Sequence, residues 1–332
     1  MLRIVFMGSD AIALPTLDWL ADDGRDIGQV VGAFTQPDRA AGRGQKVQSN
    51  EIKLWAQAHG LPVLQPVKVG APERQQLADL KPDLCLVMAY GHILRQEFIE
   101  TPRLGTLNLH TSVLPAFRGA SPIQTAITCG EAETGVTLMR MVLKLDAGPV
   151  ADVERVKINQ LDTARELEAK LGRACVPLLA RCLPGIASGE QKFTPQDEAK
   201  ATFCRRLEKT DGVLDFQTPA ALLAGRINGL MPWPGCTVEI NGQTVKLGLA
   251  DISSPIDYKP AGAGVVIGTD ACGLLVGTGQ GSLRLRQLQR PSGRMLPAAE
   301  FLRGFPVVPG TKLESRSMPL LVARAPFPRQ KN

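Results

Sequence analysis

Apolar positions in the first half of the chain follow two alternating rhythms. Leu2 to Met7 is a continuous apolar-rich run closed by Gly8, and it leads into a helical spacing of Leu14, Leu17 and Leu20. Gln29 to Thr35 repeats the strand pattern, as do Leu84 to Ala89 and Thr106 to His110, while helical periodicity covers Glu51 to His59 and Pro72 to Leu80. Apolar strands alternating with helices predict a parallel sheet covered on both faces. Gln36 to Asn50 is polar, holds Gly42 and Gly44 and has little periodicity, which predicts a mobile loop.

The rhythm then changes. Thr134 to Met141 and Pro149 to Ile158 read as a strand pair around the turn Leu145-Asp146-Ala147-Gly148. An amphipathic helix follows from Thr163 to Cys182, which Pro184-Gly185 should end. Beyond residue 205 come short alternating runs at Cys236 to Ile240, Thr244 to Leu249, Gly264 to Ile267, Gly273 to Val276 and Ser282 to Gln287. Asn241-Gly242 between the first two is a hairpin signal. These runs predict a small β barrel or sandwich, and a barrel that holds nucleic acid is one form of it. Ser315 to Asn332 carries Arg316, Arg324, Arg329, Lys331 and three prolines, and reads as a weakly ordered tail.

Composition narrows the class. With 332 residues, 44% hydrophobic and 21% charged, the chain has room for two cores and is not a disordered polymer. No uncharged apolar run approaches the ~18 residues that cross a bilayer, and Met1 to Met7 leads into a strand rather than a basic leader. A cytoplasmic protein with no membrane partner is expected. The seven cysteines are scattered without a C-x-x-C pair, which suggests neither a disulfide framework nor a zinc cluster. The net charge of +6 is uneven: residues 1–200 sum to −1 and residues 201–332 to +7. A basic C-terminal third fits a polyanion-binding module, or a surface made soluble by arginine.

Candidate chemistry concentrates at one strand. The loop Gly8-Ser9-Asp10-Ala11 lacks the second glycine of G-x-G-x-x-G and no Walker A pattern occurs, which disfavours dinucleotide dehydrogenases and P-loop enzymes. Of three histidines, His59 and His92 have no recognisable partner nearby. His110 ends the strand Thr106 to His110, where period-two alternation sends Asn108 to the same face. In an open parallel sheet, ligands bind outside the carboxyl ends of the strands. The long link Thr111 to Ile123 that follows suits a ligand wall. A strand end that merely reaches solvent would have the same composition.

The run Asn108 to Ile123, NLHTSVLPAFRGASPI, resembles the signature of the folate-dependent formyltransferases, Asn-x-His-x-Ser-Leu-Leu-Pro followed by Arg-Gly-Ala-x-Pro-Ile. FMGSDAIALPTL at Phe6 to Leu17, FTQPDRAAGRGQK at Phe34 to Lys46 and MPWPG at Met231 to Gly235 resemble the members that act on methionyl-tRNA. The resemblance spans residues 2 to 310. It implies an α/β fold: a Rossmann-like formyltransferase domain with a mostly parallel sheet over 1–188, a linker over 189–206, and a C-terminal OB-like β-barrel over 207–314 that binds tRNA. Residues 315–332 would be the basic tail.

The resemblance also implies roles. Asn108, His110 and Asp146 match the catalytic set. Ser112, Val113, Leu114 and Pro115 match the wall of the 10-formyltetrahydrofolate site, and the backbone of Met88 to Gly91 matches a segment that meets the pterin. Arg39, Arg43 and Lys46 match a loop that orders against the tRNA acceptor end. The implied partners are initiator methionyl-tRNA and the folate co-substrate, with no metal, in a monomer. Formyl transfer to an α-amine passes through a tetrahedral oxyanion, to which the Asn108 amide and an imidazolium N–H of His110 can donate. Asp146 would hold the imidazole and help take the proton that the amine loses. An α-amine, with a reference pKa of ~7.7–8.0, is itself the nucleophile.

Departures from the family pattern are local. Val113 replaces Leu, Ser49-Asn50-Glu51-Ile52-Lys53 stands where relatives have Pro-Ser-Pro-Val-Lys, and Phe203-Cys204-Arg205-Arg206 stands for Tyr-Ala-x-Lys. A formyltransferase acting on a small amine, such as an amino sugar nucleotide, would share the core, but needs neither the basic loop nor the +7 C-terminal third. A catalytically idle RNA-binding protein is disfavoured by the intact Asn108, His110 and Asp146.

Overall fold

The structure is a computed structural model that describes residues 1–41, 44, 46–253 and 262–328. Arg43, the side chain of Lys46, and Arg329 and Lys331 of the expected tail lie outside the described residues. The chain forms two compact units. One comprises Met1–Arg118, Gly135–Val156 and Ala169–Ala201; the other comprises Gly119–Thr134, Lys157–Glu168 and the chain from Thr202 onward.

In the first unit β1 (Leu2–Gly8), α1 (Leu14–Ala21) and β2 (Gly28–Phe34) come first. A short hairpin of β3 (Arg39–Ala41) and β4 (Lys46–Gln48) precedes α2 (Glu51–Ala58), β5 (Val63–Leu64) and α3 (Ala71–Asp79). Next are β6 (Leu84–Met88), α4 (Gln96–Ile99) and β7 (Thr106–His110). Past β8 (Arg118–Gly119) and α5 (Pro122–Thr128), a helix that counts with the second unit, lie β9 (Glu133–Arg140), β10 (Val150–Lys157) and α6 (Ala164–Ser188). The sheet order is β10-β9-β7-β6-β1-β2-β5. Five strands run parallel, and β9 is antiparallel to β7. Central β1 buries Ile4, Val5, Phe6 and Met7 completely. Each such side chain contributes about 1.5–3 kcal/mol relative to exposure, which is why a strand covered on both faces reads as an uninterrupted apolar run.

Two expectations change here. The helix predicted to stop at Cys182 continues as α6 to Ser188, through Pro177 and Pro184. Its apolar face continues too: Leu171, Cys175, Leu178, Leu179, Cys182, Leu183 and Ile186 are all buried. That burial outweighs the local cost of a helical proline, about 3 kcal/mol. The polar loop from Gln36 to Asn50 contains the β3/β4 hairpin, with Arg39 opposite Gln48.

In the second unit, β11 (Phe203–Cys204) and α7 (Ala220–Gly229) precede β12 (Cys236–Ile240) and β13 (Gln243–Ile252). Then come β14 (Val266–Thr269), β15 (Leu274–Gly277), β16 (Ser282–Gln289), β17 (Leu296–Pro297), α8 (Ala298–Gly304) and β18 (Val322–Ala323). The antiparallel sheet has the order β12-β13-β16-β15-β14, with β17 on β16. This curled half-barrel is the form that the expected OB-like C-terminal β-barrel takes. Helix α7 packs on α5 at very short range. A Cβ on Gly225 would lie 2.6 Å from the Ile127 carbonyl oxygen, and one on Gly229 would lie 2.9 Å from that of Gln124.

The start of the supposed tail is held. The Phe216 amide donates to Ser315 Oγ at 2.9 Å, Arg316 N donates to the Leu214 carbonyl at 2.8 Å, and β18 pairs with β11. Leu321 is buried. Backbone hydrogen bonds, invisible to composition, tie down a segment that its prolines and charges made look loose.

Candidate active site

Strand β7 sits between β6 and β9, with Asn108 opposite Val87 on one side and Met139 on the other. Leu107 and Leu109 are buried on one face, while Asn108 and His110 share the other. His110 is 6% exposed, and its Nε2 lies 3.0 Å from the Phe117 carbonyl oxygen. A carbonyl only accepts, so Nε2 carries a proton and donates there. The Nδ1 edge faces Asp146, 3.8 Å from Oδ2. That separation is an ion-pair distance and too long for a hydrogen bond. The imidazole N–H expected to serve an oxyanion is, at Nε2, already engaged by Phe117, which leaves the Asp146 side of the ring for proton exchange.

Both residues that flank His110 have a left-handed backbone: Phe117 has φ +58° and Asp146 φ +47°. Ala89, just past β6, has φ +50°. Such conformations cost about 1–3 kcal/mol each and cluster where function demands them.

The link after His110 is held from below. Ser112 is fully buried and its hydroxyl donates to the Ala116 carbonyl at 2.6 Å. Thr137, opposite His110 on β9, donates to the Ser112 carbonyl at 2.6 Å and accepts from Leu114 N at 3.1 Å. Leu114 is buried, whereas Val113 and Pro115 are partly exposed. Of the four residues expected to line a folate site, Ser112 and Leu114 therefore shape the loop from within. Exposed apolar side chains lie close by in sequence: Ile93 after β6, and Val142, Leu143 and Leu145 before Asp146.

The turn carrying Asp146 is clamped by residues that no local pattern revealed. Gln196 Nε2 donates to the carbonyls of Asp146 and Gly148, at 2.9 and 2.7 Å. Its Oε1 accepts from Arg118 Nε and Nη2 at 3.1 and 2.7 Å. Arg118 is fully buried and also donates to both oxygens of Glu198, at 3.1 and 2.9 Å. Lys144 Nζ meets Glu198 at 2.6 Å. The Arg118 guanidinium first, then Lys144, hold the Glu198 carboxyl down to about 2. Arg118 stands inside the matched motif, but Gln196 and Glu198 are far away in sequence and carry no spacing signal.

The basic loop has a strong anchor. Asp38 accepts from Lys53 Nζ at 2.6 Å, Gln65 Nε2 at 2.8 Å and Ser49 Oγ at 3.2 Å. Lys53 first, then Gln65, lower its pKa below the usual carboxylate range. Asn50 caps α2 by accepting from Lys53 N, accepts from Thr35 Oγ1 at 2.8 Å and donates to the Gln36 carbonyl. The segment Ser49 to Lys53, which departs from the family pattern, thus builds the far anchor of the loop. Arg39 is exposed and donates to Gln36 Oε1 at 2.8 Å, and Gln36 Nε2 in turn donates to the Tyr90 carbonyl.

Other chemistry-bearing groups are set apart. His59 stacks on Trp55, with ring centroids 4.0 Å apart. His92 Nε2 is buried without a partner among the described residues, and burial lowers the pKa of that ring. Burial also pushes the Cys175 and Cys236 thiols up to about 12, so neither is a ready nucleophile.

The formyl transferase family matches residues 2–183, and the formyl transferase C-terminal domain matches residues 206–306. The chain belongs to this family and is a formyl-transferring enzyme. A methionyl-tRNA formyltransferase of Methylococcus capsulatus is 39% identical over 304 residues, covering 91% of this chain and 96% of the relative. Further relatives at 38–40% identity are likewise methionyl-tRNA formyltransferases. Among solved structures, a methionyl-tRNA formyltransferase from Clostridium thermocellum is similar in fold, with a TM-score of 0.54 at 13% identity over 78% of this chain and 96% of that one. The sugar 3N-formyl transferase WlaRD has a TM-score of 0.64 at 18% identity over 87% and 98%. No helix among the described residues is long and apolar enough to cross a membrane.

Proposed function

We propose that the protein transfers the formyl group of 10-formyltetrahydrofolate to the α-amine of initiator methionyl-tRNA, giving formylmethionyl-tRNA for translation initiation. The observation that carries this reading is the 38–40% identity to methionyl-tRNA formyltransferases across nearly the whole chain. Bound 10-formyltetrahydrofolate supplies the activated formyl group. Asn108 donates its amide N–H to the developing oxyanion, a kind of contact worth about 2.7–4 kcal/mol. His110 takes the amine proton at the Nδ1 edge while Asp146 steadies the resulting positive charge, and as the bond from the formyl carbon to N10 breaks the proton is passed to N10, so that tetrahydrofolate leaves neutral at that nitrogen.

Ser112, Val113, Leu114 and Pro115 form one wall for the folate, with the Met88 to Gly91 backbone and the exposed Ile93 suiting a flat ring with polar edges. Residues 1–188 carry the chemistry and 189–206 serve as linker. The basic residues of 207–314, together with Arg39, Arg43 and Lys46, hold the tRNA. Arg284 and Arg286 are engaged by Asp251, so exposed Arg290, Arg294 and Arg303 are better placed to meet phosphates. The enzyme acts as a monomer in the cytoplasm, where charged tRNA and folates meet.

The test mixes purified protein with 10-formyltetrahydrofolate and charged initiator tRNA. Formylmethionyl-tRNA is expected. Absence of that product, with formylation of an amino sugar nucleotide instead, would overturn the substrate assignment.

A further inference from the structure

We propose that Gln196 is a positioning residue for formyl transfer: it holds the Asp146 turn in the shape that faces Asp146 toward His110, and Arg118 sets the direction in which Gln196 acts. The proposal rests on the catalytic assignment of Asp146 made above.

A carboxamide has a donating end and an accepting end, and here each has a partner that admits only one answer. Arg118 has donors and no lone pair, so the end facing its Nε and Nη2 must be Oε1. The NH2 group then points at two carbonyl oxygens, those of Asp146 and Gly148, which only accept. These carbonyls lie on either side of Ala147, so one side chain spans the turn. Asp146 is there at φ +47°, a conformation that persists only where its surroundings over-determine it. Glu198, two residues along, adds a second hold by accepting from Lys144 just before Asp146. Arg118 is buried and is itself steadied by the same Glu198. A fully buried charge thereby orients an amide, the amide shapes a turn, and the turn aims a carboxylate at the imidazole.

A double-mutant cycle tests this through steady-state kinetics with folate and charged tRNA. Gln196→Ala should lower kcat by about 10- to 100-fold, since misplacing a reacting group by an ångström has that effect. KM for both substrates should stay within about threefold, because the clamp acts through the placement of Asp146. In an Asp146→Ala background, the same substitution should cost less than about twofold, as expected when one residue works through the other. Gln196→Glu keeps an acceptor for Arg118 but turns an oxygen on the two carbonyls, and should lose at least as much as Gln196→Ala. Should Gln196→Ala fail to fold, Gln196→Met, of similar volume with neither polar end, takes its place in the cycle. An equal fold-loss in both backgrounds, a change confined to KM, or unchanged kcat in a folded Gln196 variant would overturn the proposal. If Asp146→Ala alone left kcat intact, the underlying assignment would fall instead.

Discussion

Thr137 is the point at which the site is most exposed to a single atom. Fully buried on β9, it donates to the Ser112 carbonyl and accepts from Leu114 N. Thr137→Val keeps the shape and removes the hydroxyl. Two buried backbone groups then lose their partner, at about 1–3 kcal/mol each. The expected destabilisation is about 2–6 kcal/mol, read as a fall of about 2–4 °C in Tm per kcal/mol for a unit of this size. Thr137→Ser keeps the hydroxyl and loses one methyl, which costs about 1 kcal/mol. Valine should therefore be the more damaging substitution, the reverse of the order for a purely apolar contact. The activity should follow, because the loop that Thr137 holds carries Phe117 against His110. Thermal unfolding and initial rates on both variants decide the matter. A valine variant within about 1 kcal/mol of the parent, which is about a fivefold change in the folding constant, or one milder than serine, would refute the reasoning.

Two further outcomes are expected. Asn108→Ala should reduce kcat by about 10²- to 10³-fold with unfolding unchanged, as the loss of one oxyanion donor does; a loss appearing only in KM would place Asn108 in binding instead. Asp38, whose pKa lies lower in the folded protein than when unfolded, contributes stability in full above the ordinary carboxylate value near ~3.9 and loses it as pH falls through the lower folded value. Pepsin cleavage between Gln36 and Asn50 should therefore rise across that acid window in the parent protein, while Asp38→Asn should be cut readily throughout; identical pH profiles would remove Asp38 as the anchor.

Much of the site was legible because its residues are local. Strand β7 has the predicted bounds, Thr106 to His110, since its alternation is undisturbed at both ends. Asn108 and His110 fall on one face for the same reason, and the Asp146 turn was readable from its Leu-Asp-x-Gly form. Gln196 and Glu198 were not, because their roles arise from hydrogen bonds to Arg118 some eighty positions away. Helix α7 has Ala220, Leu223, Ala224 and Ile227 at helical spacing, all buried, but two glycines mask the pattern. Its Gly225 and Gly229 look like helix breakers, yet they are what allows close approach to α5, and tertiary packing overrides their propensity. The β3/β4 hairpin was hidden by a polar composition that says nothing of the Asp38 anchor behind it.

The partnership of α5 with α7 has a consequence for synthesis. Helix α5 is made early but counts with the second unit, and its partner α7 follows roughly 100 residues later, a wait of about 5–20 s at the ribosome. Until then the apolar Ile123, Ala126 and Ile127 have no α7 to cover them. The nascent chain thus carries a sticky helix soon after, in sequence, the strand that bears His110, and a ribosome stalled in that interval leaves it open to chaperones, proteases or another nascent chain.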